Sequence, residues 1–280
     1  MADKKQIAVI VEGEKRELDY WDSLAPVFFP KTDVEVLPLP LHENIYMLYG
    51  ELAADGDLDV VEVVRERSAE AGRALEGKTR KSFQEVYLFL DFDPHAYERN
   101  IKKTCAKTMT EIVEEMLSFF DNETEQGKLY ISYPMCEALR DGHKASCAAH
   151  YRCVLPLEEA GDYKRLSSDG NPFASKPIHT YTEGHWEHFC AAYLHKYRCL
   201  RGEDVPPEQL YLWYKREEQT PLDVFQRERA LLERSGGIFV ISAFPEFLLD
   251  YFKESRWSGM LGRLTGIARD CRGKDKDGSE

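Results

Sequence analysis

Three acids set at the ends of apolar runs are the residues best suited to chemistry. Ile7–Val11 delivers Glu12, with Gly13 and Glu14 directly behind it, and Val86–Leu90 delivers Asp91 and Asp93 as an Asp-x-Asp. Side chains alternate along a strand, so Asp91 and Asp93 fall on the same side. Two carboxylates held together repel, and a divalent cation removes that conflict. An all-oxygen donor set suits Mg²⁺ or Mn²⁺ rather than zinc. Capping of a following helix by Asp93 would account for a lone Asp-x-Asp equally well. Two acid-bearing strand ends in one array favour a metal site. Gly13 fits a strand-to-helix turn that needs positive φ, which leaves Glu12 to be explained by chemistry.

The elements that must position these acids can be read from hydrophobic periodicity. The expected strands are Ile7–Val11, Val34–Leu37 (ended by Pro38 and Pro40), Val86–Leu90 and Leu129–Tyr133. Helical spacing covers Lys15–Leu24, Asp57–Leu75 and Met109–Phe120, and Pro94 stops the Asp-x-Asp strand. Strands alternating with helices argue for an α/β fold with a mostly parallel sheet, whose chemistry collects at the carboxyl ends of the strands. Residues 141–183 lose this rhythm and read as a long loop or domain joint. The remainder is mainly helical, over Trp186–Cys199, Pro206–Glu217, Pro221–Arg234 and Pro245–Phe252, with a short strand at Ile238–Ser242. The expected division is therefore residues 1–145 as catalytic domain and 146–280 as a mainly helical region for dimerisation, partner or substrate contact.

An apolar strand running into Glu-Gly and a helix, followed by a later strand ending in Asp-x-Asp, resembles the Toprim domain of topoisomerases, primases and OLD-family nucleases. VEGEKRELDYW is most similar to the stand-alone Toprim effectors of bacterial anti-phage systems, among them OLD-like and RloB-like proteins and the Toprim subunit of the PARIS system. The likeness covers about the first half of the chain, and the gap between its motifs holds about one extra helix-length. It implies a Rossmann-like Toprim core, Glu12 as general acid/base or metal ligand, and Asp91 and Asp93 as Mg²⁺ ligands. It also implies a nuclease effector coupled to an ATPase partner, cutting tRNA or DNA and active as a homodimer. In such enzymes a further acid supports a second metal, and Glu137, just after the fourth strand, is the candidate. As a first-turn acid it would equally serve a helix dipole.

A scissile phosphate needs cations. Lys78, Arg80 and Lys81 precede the Asp-x-Asp strand, and Lys102, Lys103 and Lys107 follow it. Glu14, Glu17 and Asp19 are assigned to surface and helix roles, with Lys15 and Asp19 spaced to pair; Glu17, one helical turn past Glu14, could alternatively hold a metal through water. His185 and His188, one turn apart, lack the companion ligands of a zinc knuckle and read as part of an amphipathic helix.

Composition bounds these readings. The 280 residues carry a net charge of -13, with 17 Lys+Arg against 28 Asp+Glu in residues 1–140. That excludes a passive, non-specific DNA coat, though not a metal-assisted nuclease. Seven scattered cysteines without a Cys-x-x-Cys pair indicate reduced thiols and a cytoplasmic location, and no apolar run is long enough to span a bilayer. Two alternatives stand beside the nuclease. In a haloacid-dehalogenase-like phosphatase Asp91 would be the nucleophile and Asp93 the acid, although that family carries its Asp-x-Asp on the first strand. A non-catalytic regulatory subunit would use the aromatic-rich second half for docking.

Overall fold

The computed structural model describes residues 4–13, 15–29, 32–102, 106–144, 153–169, 171–257 and 260. The chain divides into two compact units, Met1–Ile131 with Ile178–Thr180, and Ser132–Pro177 with Tyr181–Glu280.

The first unit is built on β1 (Lys5–Val11), β2 (Val34–Pro40), β3 (Glu85–Asp91), β4 (Asp121–Asn122) and β5 (Gly127–Ser132). They form one sheet of order β2-β1-β3-β5-β4. β1 pairs in parallel with β2 on one side and β3 on the other, while β4 and β5 are antiparallel. Ile7 to Val11 are almost fully buried, as an unbroken apolar run in a sheet covered on both faces must be. The helices are α1 (Arg16–Phe28), α2 (Ile45–Ala54), α3 (Val60–Arg67), α4 (Ala69–Ala74), α5 (Pro94–Asn100) and α6 (Met109–Phe119). α1 buries Tyr20, Trp21, Leu24 and Phe28, with Trp21 meeting Phe89 of β3 edge-on at 5.1 Å between centroids. Trp21→Ala would remove about 3–5 kcal/mol of packing there.

Two expectations for this unit are corrected. The strand over Val34–Leu37 runs on to Pro40, because β2 is an edge strand. Leu41 N donates to Val11 O at 2.8 Å, so Pro38 and Pro40, an odd number of residues away, turn their imide nitrogens outward where no donor is needed. The helix expected over Asp57–Leu75 is two helices. They break at Ser68, whose hydroxyl accepts from Ala71 N to cap α4.

The second unit contains β6 (Val154–Pro156) antiparallel to β7 (Gly237–Phe239), and α7 (Tyr163–Leu166), α8 (Glu183–Arg201), α9 (Leu210–Arg216), α10 (Pro221–Ser235) and α11 (Ala243–Tyr251). The expected loop over 141–183 thus holds a strand and a helix, each too short to show a periodicity. Gly236 ends α10 at φ 68°, and a Cβ on Gly237 would lie 2.5 Å from Val154 Cγ1, so this glycine pair permits both the cap and the close strand approach. His185 accepts from Thr182 N at 2.9 Å through Nδ1, a helix-capping role. Among the described residues, Cys136, Cys153, Cys190 and Cys199 are free thiols, and no helix is long and apolar enough to cross a membrane.

Candidate metal centre at the carboxyl edge of the sheet

In the first unit the chain leaves β1 towards β2 on one side, and leaves β3 towards β5 on the other. The carboxyl ends of β1 and β3 therefore flank the point where strand order reverses, where open α/β sheets form their crevice. Glu12 follows β1, and Asp91 is the last residue of β3. Their register holds them together, since Val11 lies opposite Phe89. Glu12 Oε2 accepts from Asp91 N at 3.2 Å, and Asp93 N turns back to Asp91 O at 2.9 Å.

Glu17 joins this group from the first turn of α1. Its side chain is buried, its Oε1 accepts from Gly13 N at 3.1 Å, and a carboxylate oxygen lies within 4.8 Å of one of Asp91. The assignment of Glu17 to a surface and helix role is thereby corrected. The reading of Gly13 changes with it. Gly13 does not stand in the left-handed region; a Cβ there would sit 2.6 Å from Glu17 Oε2. Close approach of the carboxylate, rather than φ, is what this position requires of its residue.

Electrostatics follow from crowding acids against a buried strand end. Burial pushes the Glu12 carboxyl up to about 7; the Asp91 amide opposes the rise, and the neighbouring charges of Glu17 and Asp93 add to it. Burial also raises the Tyr46 phenol, and Asp93, Glu12 and Tyr97 raise it further. Tyr46 is a buried residue of α2 whose ring lies 6.1 Å from that of Tyr97 in α5. Such a group of oxygen acceptors fits a hard divalent cation, whose charge would favour the ionised Glu12 against the burial, and the lesser repulsion, that raise its carboxyl. Glu12, Glu17, Asp91 and Asp93 are the residues that would hold it.

No protein-family model, curated protein or solved structure matches the chain.

The basic residues divide by location. Lys78 Nζ donates to the side chain of Gln6 at 2.9 Å, near the start of β1 and about 20 Å along the strand from Glu12. Arg80 donates to three main-chain carbonyls, of Phe83, Glu123 and Glu125, and Lys81 shares its turn. These three stand at the amino end of the sheet, and the fold does not bring them to the carboxylates. Lys102 pairs with Glu98 at 2.7 Å, and Lys107 with Glu115 at 2.6 Å. Lys103 lies outside the described residues, as does Glu14. Arg99 of α5 lies beside the acids, 3.6 Å from Asp93 and largely exposed.

Glu137 belongs to the second unit. It is buried, accepts from Cys136 Sγ at 3.3 Å and has Lys164 Nζ at 3.9 Å. Tyr46 and Arg99 were not legible as site residues from sequence, and Glu17 only as a metal residue acting through water. The signal for Glu17 was its place one turn into a helix that starts at the acid-bearing strand end.

Proposed function

We propose that this chain is a Mg²⁺-dependent Toprim nuclease that hydrolyses phosphodiesters in nucleic acid, tRNA or DNA. The observation that carries the reading is the placing of Glu12 against Asp91, with Glu17 close to Asp91 and both Glu17 and Asp93 acting on the charge of Glu12, at the adjoining carboxyl ends of β1 and β3. Asp91, Asp93 and Glu17 would hold Mg²⁺ or Mn²⁺. Bound there, the ion supplies positive charge to the reacting phosphate and Lewis acidity towards water. Glu12, held by the Asp91 amide with its carboxyl near neutrality, is suited to take the proton of an attacking water or to complete the ligand set. Arg99, exposed beside Asp93, is suited to meet a substrate phosphate.

The wider role, an anti-phage effector working with an ATPase subunit and as a homodimer in the cytoplasm, rests on the likeness of VEGEKRELDYW to such effectors. The test is incubation of the purified chain with tRNA and with DNA, in Mg²⁺, Mn²⁺ or EDTA. Cleavage that requires the cation and disappears in Glu12→Ala and Asp91→Ala is expected. Cleavage that survives both substitutions, or none in any condition, would overturn the reading.

A further inference from the structure

The second unit holds a cavity of about 620 Å³ with four arginines in its wall. That volume is in the range of small-molecule sites. Arg198 and Arg201 come from the last turn of α8, and Arg227 and Arg234 from α10, two helical turns apart. Its apolar lining includes Val154, Leu231 and Phe239. Glu203 and Asp204 complete the wall, so the arginines leave an excess of two positive charges in a protein that is acidic overall.

The four cations play unequal parts. Arg198 donates to Val205 O at 2.9 Å, and Arg201 is held by Glu203 and, at 3.2 Å, by Glu217, with its guanidinium over the Trp213 ring. These two brace the wall. Arg227 and Arg234 are exposed and, among the described residues, form no ion pair. A cation in a final helical turn is favoured by the helix dipole, which accounts for Arg234. Arg227 stands mid-helix, where the dipole gives no such reason.

We propose that this cavity binds a nucleotide unit, either a free nucleotide or one within a single strand. Guanidinium groups pair with phosphoryl oxygens in a forked geometry. The apolar lining suits the face of a base, and Asp204 offers an acceptor to hydroxyl and amino donors, which a nucleoside has and a bare phosphate lacks, while Glu203 is taken up by Arg201 and Trp213. The site lies wholly in the second unit and does not rest on the nuclease reading.

Fluorescence anisotropy of the full chain with a short fluorescein-labelled single strand, in EDTA, tests it independently of cleavage. Arg227→Glu/Arg234→Glu should weaken binding by about tenfold or more and lower the slope of log K against log salt by about 1.4, two phosphate contacts' worth. The milder Arg227→Gln/Arg234→Gln should weaken it in the same direction, with an unchanged circular-dichroism melt. Arg216→Glu, an exposed charge reversal that does not line the cavity, should leave binding within about twofold. Competition by AMP assigns a single-nucleotide site; competition by unlabelled strand alone assigns a strand site, and either supports the proposal. No binding, unchanged affinity in both double variants, or an equal loss in Arg216→Glu overturns it.

Discussion

The carboxylate of Glu12 accepts the backbone amide of Asp91 at 3.2 Å, tying the residue that follows β1 to the last residue of β3. This bond extends the pairing of β1 with β3 into a common site and holds the Glu12 carboxylate close enough to feel the charges of Glu17 and Asp93. The first consequence is a pH dependence. The folded Glu12 carboxyl titrates near 7, against 4.5 for an ordinary glutamate, so between those values the unfolded chain binds fewer protons. Stability from this group is full below about pH 4.5, declines as pH rises and is lost above about 7, a change of at most about 3 kcal/mol. Urea unfolding of the metal-free protein should show this decline, and Glu12→Gln should flatten it.

Cation binding should run against the same gradient. Mg²⁺ must displace the Glu12 proton at low pH and need not at high pH. The rise in melting temperature on adding a fixed excess of Mg²⁺ should therefore be larger at pH 8 than at pH 5.5, by thermal scanning. Equal shifts at the two pH values would place the ion elsewhere.

Gly13→Ala should separate site geometry from folding. The atoms nearest the added methyl are those of the Glu17 carboxylate, and no left-handed backbone angle is involved. The melting temperature should stay near that of the wild type, while cleavage falls by about tenfold or more as Glu17 is pushed aside. In a Glu17→Ala background the same change should cost little, which a double-mutant cycle would read.

The basic residues should sort by the ends of the sheet they occupy. Arg99→Ala removes a largely exposed pair with Asp93 and should leave stability within about 0.5 kcal/mol. It should raise the KM for nucleic acid and reduce the salt slope. Arg80→Ala removes a donor from three main-chain carbonyls at the amino end, of which that of Glu123 keeps Val86 N, and should cost about 1–2 kcal/mol in stability with KM unchanged.

The strands that carry Glu12, Asp91 and Asp93 were legible because each is a continuous apolar run ending in an acid, and buried parallel strands leave that mark. Their neighbours in space were not. Glu17 reads as an ordinary first-turn acid until α1 is seen to turn it back onto Gly13, a contact over four residues that no periodicity reports. Tyr46 and Arg99 reach the site from α2 and α5, which follow β2 and β3, so only the sheet order reveals them. Lys78 and Arg80 lie away from the carboxylates for a related reason. A residue that precedes a parallel strand stands at its amino end, a full strand length from an acid that follows its partner. The two proline positions in β2 were likewise a matter of sheet edge, which local sequence does not encode.

Calorimetric titration of Mn²⁺ into the full chain at pH 8 tests the central claim most directly, with Asp91→Asn and Arg80→Ala measured beside the wild type. Wild type and Arg80→Ala should bind alike, and Asp91→Asn should bind at least about tenfold more weakly. Matching isotherms for wild type and Asp91→Asn, or no binding by the wild type, would contradict a metal centre at the joined ends of β1 and β3.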